Sequence, residues 1–400
     1  MAETNSQLKL LMLCDFLVPS GYQSIAAAFA KQFSEMGCDV TVLGINYDGR
    51  EHDYPFRLIP THLPWLPEQL RVLSKEINPD WILFLMDIQK QTGIIDSVLR
   101  HDLVFYKGKK VASIFPVESD PFYRKWAQTL MLSSSLRFTF TDFGVSELKK
   151  RLIDAIRLPV GLDEFWLDDV SEPIVRNNDR PFILTVADNQ IRKNLSAAIE
   201  ILAKYREMYS NDLNWDYVLV TNIDSPDGWG DFDDLCSRYG FPADRLDLKH
   251  NKSVSQEQLK YLYQNAECFL LPSYAEGIGL PLYEARSQGC PIVATDHPNI
   301  YEALNGSGGL VTSDKIFSYP LGGINYYSLN ILDAVEKLHQ VLVQGRIPKQ
   351  KIDSWSVAAD VILKSMKLYE VVDNNVTKTI SEASNEDGLS ESETVTDHIS

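Results

Sequence analysis

The feature that most constrains this chain is a rhythm that runs, stops and starts again. Short apolar runs the length of a strand alternate with helix-length segments. "LKLLMLC" (8–14) leads to an apolar-periodic stretch over 22–36 and then "VTVLG" (40–44). "WILFLM" (81–86), "KVASIF" (110–115) and "RFTFT" (137–141) follow. After the polar run "SEPIVRNNDR" (171–180) the alternation restarts: "FILTVA" (182–187) precedes a helix over 194–208, and "YVLVT" (217–221) precedes a helix over 231–239. "ECFLLP" (267–272) follows a helix over 255–265, and "PIVAT" (291–295) follows one over 281–288. Strand–helix–strand repetition predicts parallel sheets covered on both faces. The restart predicts two doubly wound domains in tandem, residues 1–160 and 161–353. Ligands of that architecture bind at the carboxyl ends of the strands. An amphipathic helix is expected over 354–371, and the polar, acidic stretch 372–400 reads as a disordered tail.

Composition narrows the function. The chain has 400 residues, 44% hydrophobic and 23% charged, enough for two domains that each bury a core. No apolar run approaches the roughly 18–20 residues of a membrane span. The N-terminus "MAETNSQLKLLMLCDF" has no basic region or cleavage site, so no signal peptide is expected and a cytoplasmic protein is the simplest reading. The formal charge is −17, and residues 371–400 carry seven acidic residues against one lysine. The remaining acidic body disfavours nucleic acid and anionic membranes as general partners. Five scattered cysteines without a Cys-x-x-Cys pair read as buried thiols, and the seven histidines form no ligand cluster. No protein-bound metal and no tightly held cofactor are expected.

One stretch carries chemistry: "SYAEGIGLPLYEARSQGCPIVATD" (273–296), with Glu276 and Glu284 on either side of a glycine turn. Gly277 and Gly279 let backbone amides near Ile278 and Leu280 approach a ligand, and Pro281 suits the first helical turn. A helix N-terminus there is an anion site. Glu284, about one turn in, is placed to accept two hydroxyls of a vicinal diol. The plainer account is that Glu284 complements the helix dipole, worth ~0.3–1 kcal/mol, and Glu276 is solvated. Arg192 and Lys193, in "VADNQIRKNLSAAIEIL", stand at a strand-to-helix junction where cations neutralise a diphosphate. Neither Gly-x-Ser-x-Gly nor Gly-Lys-Ser/Thr occurs, and no Gly-x-Gly-x-x-Gly follows the first strand.

The 273–296 element resembles the signature of the retaining glycosyltransferases of the GT-B fold, family 4 (glycosyl transferases group 1). The glutamate–seven residues–glutamate spacing matches, and Ile278 replaces the usual phenylalanine. "VSQEQLKYLYQNAECFLLPSYAEG" (254–277) and "PIVATDHPNIYEAL" (291–304) resemble what precedes and follows that signature. The resemblance implies an α/β GT-B protein: an acceptor-side domain, a nucleotide-sugar domain, and a C-terminal helix packing back on the first. It implies metal-independent retaining transfer of a hexosyl or other glycosyl group (EC 2.4 class) from a UDP- or GDP-sugar to a hydroxyl acceptor. Glu276, Lys193 and Arg192 would act at the reacting centre. Glu284, Gly277, Ile278, Gly279, Leu280, Ser20 and Gly21 would bind donor, with the base near "LKHNKSV" (248–254). The family's arginine usually follows a glycine where this chain has Ala187-Asp188, so Arg192 is its candidate substitute. Many relatives place a histidine near the reacting sugar; here the local groups are Glu118 and Asp120, which join Asp87 as candidates for sugar or acceptor contact. The alternatives are a non-catalytic nucleotide- or sugar-binding GT-B module, and a sugar phosphorylase or epimerase on the same fold. Donor, acceptor and oligomeric state are not readable from these residues.

Overall fold

The computed structural model describes residues 7–16, 20–101, 109–168, 171–209, 215–225, 228, 230–317 and 323–386. The chain divides into two units, Met1–Ala359 and Asp360–Ser400. The first unit contains two parallel sheets.

The N-terminal half runs β1 (Lys9–Asp15), α1 (Gly21–Glu35), β2 (Asp39–Ile45), β3 (Arg57–Thr61), α2 (Leu66–Ile77), β4 (Trp81–Leu85), α3 (Ile88–His101), β5 (Lys110–Ile114), α4 (Arg124–Ser133), β6 (Leu136–Thr139), α5 (Asp142–Lys149) and β7 (Ile156–Arg157). Its seven strands are ordered β3-β2-β1-β4-β5-β6-β7. After β8 (Gly161–Leu162), the second half runs β9 (Phe182–Val186), α6 (Leu195–Tyr209), β10 (Asp216–Thr221), α7 (Phe232–Tyr239), β11 (Leu246–His250), α8 (Gln256–Asn265), β12 (Cys268–Leu271), α9 (Leu280–Ser287), β13 (Ile292–Thr295), α10 (Pro298–Leu304) and β14 (Gly309–Val311). Its six strands are ordered β11-β10-β9-β12-β13-β14. A hairpin of β15 (Ser313–Phe317) and β16 (Asn325–Leu329), helix α11 (Ile331–Gln344), β17 (Asp353–Ser354) and α12 (Trp355–Glu386) complete the order.

The apolar runs are explained by burial on both faces. In the second sheet Ile183, Leu219, Leu270 and Val293 pack with α6, α7 and α11. The residues next to them, Leu184, Val220, Leu271 and Ala294, pack with α8, α9 and α10. Side chains of a strand alternate faces, so a sheet sandwiched between helix layers needs apolar residues at every position. In both sheets the first strand is interior and the chain reverses direction across the sheet beside it, at β1/β4 and at β9/β12. Such a reversal leaves a crevice at the strands' carboxyl ends.

Two sequence expectations meet the C-terminal helix. Its first residue, Trp355, lies edge-on to Phe29 of α1 at 5.4 Å and to Phe140 at 6.3 Å, both in the N-terminal half. The expectation of disorder from residue 372 needs correction, because α12 runs on to Glu386. Once a helix is nucleated, each further residue adds a backbone hydrogen bond for one residue ordered, so a polar segment extends it without a core of its own. The rest of the expected tail, 387–400, lies outside the described residues. No helix among the described residues is long and apolar enough to cross a membrane.

Candidate functional site

The site grows from the two loops that flank the β9/β12 reversal. Beyond β9, residues Ile191–Lys193 form a single 3-10 turn that ends on Asn194 in the left-handed conformation. Beyond β12, the chain passes through Pro272–Gly279 before α9 begins. The two loops are laced together. The Tyr274 N–H donates to the Arg192 carbonyl at 2.9 Å. Asn194 Nδ2 donates to the Pro272 carbonyl at 3.2 Å, and an Arg192 guanidinium nitrogen donates to the Ala275 carbonyl at 2.8 Å. This lacing brings residues 83 positions apart into contact: Lys193 Nζ lies 2.7 and 2.8 Å from the two carboxylate oxygens of Glu276. Arg192 adds a second cation at 3.6 Å from Glu276 and reaches Glu118 at 3.2 Å.

Glu118 comes from the loop after β5, so Arg192 ties the two halves together. Pro116 of the same loop packs on Gly277, where an added Cβ would stand 2.7 Å from the proline's own Cβ. Only glycine fits that approach. Asn299 of α10, fully buried, reinforces the junction by donating to the Glu276 carbonyl at 2.6 Å and the Val117 carbonyl at 2.7 Å. Asp87, at the end of β4, accepts from the Tyr22 hydroxyl at 2.5 Å. Asp87 and Glu118 both contribute to the electrostatic field at Arg192.

The electrostatics follow from burial opposed by pairing. Burial would raise the Glu276 carboxyl, but Lys193 and Arg192 outweigh it and hold the group below the usual range. Burial and the neighbouring Arg192 push Lys193 down, against the pull of Glu276. Burial raises Glu118 in spite of Arg192. His297, fully buried beside this group, is pushed down to about 4 by desolvation and stays neutral. Its Nδ1 accepts from the Asn299 N–H at 3.2 Å.

Helix α9 opens on Gly279, whose φ of +71° is the left-handed conformation that favours glycine. No side chain caps this helix. Among the described residues no N–H from Gly277 to Leu280 donates to a protein group. Unpaired amides at a helix start are the groups that bind anions. Across the gap stands the start of α1: an added Cβ on Gly21 would lie 3.6 Å from Leu280 Cδ1. Ser20 caps α1, its hydroxyl accepting from the Gln23 N–H at 3.1 Å. Ile278 is buried. One turn into α9, Glu284 accepts from the Tyr263 hydroxyl at 2.9 Å. Desolvation raises its carboxyl to about 7, offset in part by Tyr263 and assisted by Asp163.

The structure therefore groups Glu276, Lys193, Arg192, Glu118 and Asp87, and places Gly21 against Leu280, with Ser20 capping α1 and Glu284 one turn into α9 beside Tyr263. Asp120 stands apart, its carboxylate engaged by the β15–β16 hairpin. It accepts from Lys315 Nζ at 2.9 Å, Asn325 Nδ2 at 3.2 Å and the Tyr327 hydroxyl at 3.1 Å. Asp120 is thus a strut between the halves. In the segment expected near the base, Lys249 pairs with Asp247 at 2.8 Å and His250 with Asp224 at 3.1 Å. Sequence reasoning took Tyr22 only for its backbone amide, in Ser20-Gly21-Tyr22, and missed Tyr263, His297 and Asn299. The last two lie in "DHPNIYEAL", which the sequence had flagged only as a flank.

Residues 168–315 match the family model described as glycosyl transferases group 1, a span that holds Arg192, Lys193 and the whole 276–284 element. The O-antigen chain mannosyltransferase B of Escherichia coli is 45% identical over 117 residues, 29% of each chain. The MMP alpha-(1->4)-mannosyltransferase of Mycolicibacterium hassiacum is 29% identical over 238 residues, 58% of this chain and 51% of that one. The chain thus spans at most about half the length of these curated relatives. Among solved structures, a sucrose-phosphate synthase from Thermosynechococcus elongatus superposes with a TM-score of 0.67 at 15% identity, covering 92% of this chain and 100% of that one. WaaG, a glycosyltransferase involved in lipopolysaccharide biosynthesis, gives 0.57 at 15% identity, over 84% of this chain and 91% of that one. The fold is GT-B, two Rossmann-like domains.

Proposed function

We propose that this chain is a retaining glycosyltransferase of family 4 that moves a sugar from a UDP- or GDP-sugar to a hydroxyl acceptor without a metal ion. The observation that carries the reading is the Lys193–Glu276–Arg192 group, centred on a buried carboxylate, beside four amides that no protein group accepts from, with Glu284 one turn behind them. The amides of Gly277–Leu280 and the two cations converge on a site suited to a diphosphate, and Glu284 is placed for the ribose diol. In the structure both cations are paired with carboxylates. An incoming diphosphate competes for them with Glu276 and Glu118, which turns Glu276 toward hydroxyls of the donor sugar. As the glycosidic bond breaks, Lys193 and Arg192 stabilise the charge growing on the departing phosphate, and such preorganised charge is a large catalytic term. Retention is consistent with the leaving phosphate taking the acceptor's proton on the same face of the sugar, a route that needs no protein nucleophile.

The mannosyltransferase relatives make GDP-mannose the first donor to try. The test is a thermal-shift screen of nucleoside diphosphates and their sugars on the full chain. Nucleotide release with acceptors, in the presence and absence of EDTA, and assignment of the product anomer then follow. No stabilisation by any sugar nucleotide sinks the reading. A second reading, a sugar-nucleotide-binding module that does not turn over, is favoured by one observation: both cations are already neutralised by internal carboxylates. Binding without nucleotide release on any acceptor would select it.

A further inference from the structure

Helix α4 and the end of α5 share one corner of the N-terminal half. Leu130 of α4, Leu148 of α5 and Ile153 beyond it pack in the same small core with Phe122. Arg151 Nε donates to the Phe122 carbonyl at 2.7 Å, so the exit of α5 is tied to the entry of α4. What these segments turn outward is unexpected in a chain of formal charge −17. On α4, Arg124, Lys125, Gln128, Met131 and Leu132 are exposed. At 3.6 residues per turn they share about a third of the helix circumference. Ala127 and Leu130 take the buried side, and α4 contains no acidic residue. Just before it, exposed Tyr123 lies edge-on to Trp126 at 5.5 Å. Beside it, the run Lys149-Lys150-Arg151-Leu152 adds three cations and a leucine.

Leu152 says most about this corner. Its N–H donates to the Lys149 carbonyl at 2.9 Å, and the Ile153 N–H donates to the Leu148 carbonyl at 3.1 Å. These are the paired bonds that close a helix on a left-handed residue, a place glycine ordinarily takes. Here a leucine holds φ +60° and stands 87% exposed, while Ile153 turns into the core. Leu132, at the end of α4, is 82% exposed. Folding gains nothing from either placement, whereas a partner that covers them does. The surrounding charge selects the partner. Arg124, Lys125, Lys149, Lys150 and Arg151 stand against three neighbouring carboxylates: Asp96 at 3.8 Å from Lys125, Glu147 paired with Lys150, and Asp154. The acidic body acts at a distance, but salt screens it beyond about 8 Å, and within that range the corner is cationic. Lysine and arginine set around leucine, methionine and aromatic rings on an exposed helix face suit a lipid headgroup layer. The apolar groups enter the acyl boundary, Tyr123 and Trp126 suit the headgroup level, and the cations meet anionic lipid.

We propose that this corner of α4 and α5 is a docking surface for an anionic lipid bilayer, on which the chain lies without crossing it. The test is flotation of the full chain with vesicles of phosphatidylcholine alone and of phosphatidylcholine mixed with phosphatidylglycerol, in low and in high salt. The chain should float with the mixed vesicles in low salt, detach in high salt, and ignore the neutral ones. Each cation at an anionic surface is worth about fivefold in affinity, so Lys149→Glu with Lys150→Glu should weaken binding more than about tenfold. Lys31→Glu with Lys75→Glu makes the same change of charge on α1 and α2 and should weaken it far less. Leu132→Ser and Leu152→Gly should each weaken it severalfold by removing apolar area. Leu152→Gly is the sharpest variant, because relief of left-handed strain should raise its Tm while its vesicle affinity falls, a combination no folding defect produces. Absence of flotation with the mixed vesicles, or equal flotation with both compositions, overturns the proposal. So does parental flotation of both Leu152→Gly and the Lys149→Glu, Lys150→Glu variant.

Discussion

Glu284 offers the sharpest test because its environment sets a titration near neutrality. Its carboxyl is raised to about 7 by desolvation, well above the ordinary glutamate value of about 4.3. A ribose diol donates two hydrogen bonds, and the carboxylate, with a charged oxygen for each hydroxyl, accepts them more strongly than the neutral acid. If binding takes the ionised form and holds its pKa below about 5, apparent affinity follows the ionised fraction: about a tenth at pH 6 and about nine tenths at pH 8. Sugar-nucleotide affinity should therefore rise about tenfold between those values, or about 1.4 kcal/mol. A sugar nucleotide is the right probe because its diphosphate is esterified at both ends and does not titrate here, whereas a free phosphate monoester has a pKa of about 6. Calorimetry at pH 6, 7 and 8, in buffers of differing ionisation enthalpy, should find close to one proton released at pH 6 and almost none at pH 8. Glu284→Gln should bind more weakly at pH 8 and flatten the profile, with little change in Tm at neutral pH. The unliganded protein carries the opposite sign. A raised folded-state pKa contributes stability that is full below about pH 4.3 and lost as pH rises through about 7. Unliganded stability should thus fall toward pH 8, while the complex should not. An affinity flat from pH 6 to 8, or an equal slope in Glu284→Gln, refutes the assignment of Glu284 to the diol.

Three further outcomes follow from the same contacts. Lys193→Met leaves Glu276 buried with Arg192 as its remaining cation, at 3.6 Å; denaturant melts should show a loss of about 3 kcal/mol, and sugar-nucleotide affinity should drop more than tenfold. Asp120→Ala removes three hydrogen bonds to the hairpin, which should cost about 1–2 kcal/mol in urea unfolding while nucleotide affinity holds; a selective loss of activity at unchanged stability would return Asp120 to the site. Leu152 sits at φ +60° and is 87% exposed, so Leu152→Gly should relieve left-handed strain and gain about 0.5–1 kcal/mol; a destabilised variant would mean the turn is not strained.

The legible elements were those whose burial is uniform. "FILTVA" and "ECFLLP" read as strands because helices cover both their faces, which demands an unbroken apolar run. β3 gave no such signal: it is an edge strand, half-buried, with Pro60 inside it, and edges are where a strand tolerates proline. The β15–β16 hairpin also went unread: it lies outside both sheets, and its apolar residues, Ile316, Phe317, Tyr326, Tyr327 and Leu329, fall in two short runs with no helix between them among the described residues. In the site, the 276–284 element was readable because its parts are close in sequence: turn glycines, a helix-starting proline and a carboxylate one turn later. Glu118 and Asp120 show the limit. They stand two residues apart in one loop with the same functional group, yet one meets Arg192 and the other the hairpin.

Local order along the chain thus determined the two sheets, their helices and the amide-lined bend, because periodic burial and turn chemistry act over a few residues. Which side chains meet was decided by tertiary packing alone. The Lys193–Glu276 contact needs two loops closed against each other beyond adjacent strands, the Arg192–Glu118 link needs the two halves to be juxtaposed, and the Glu284 titration needs a buried surround drawn from several segments. None of these distances is encoded by spacing, since a chain folded back through strands and helices makes neighbours of residues that no short-range pattern can pair.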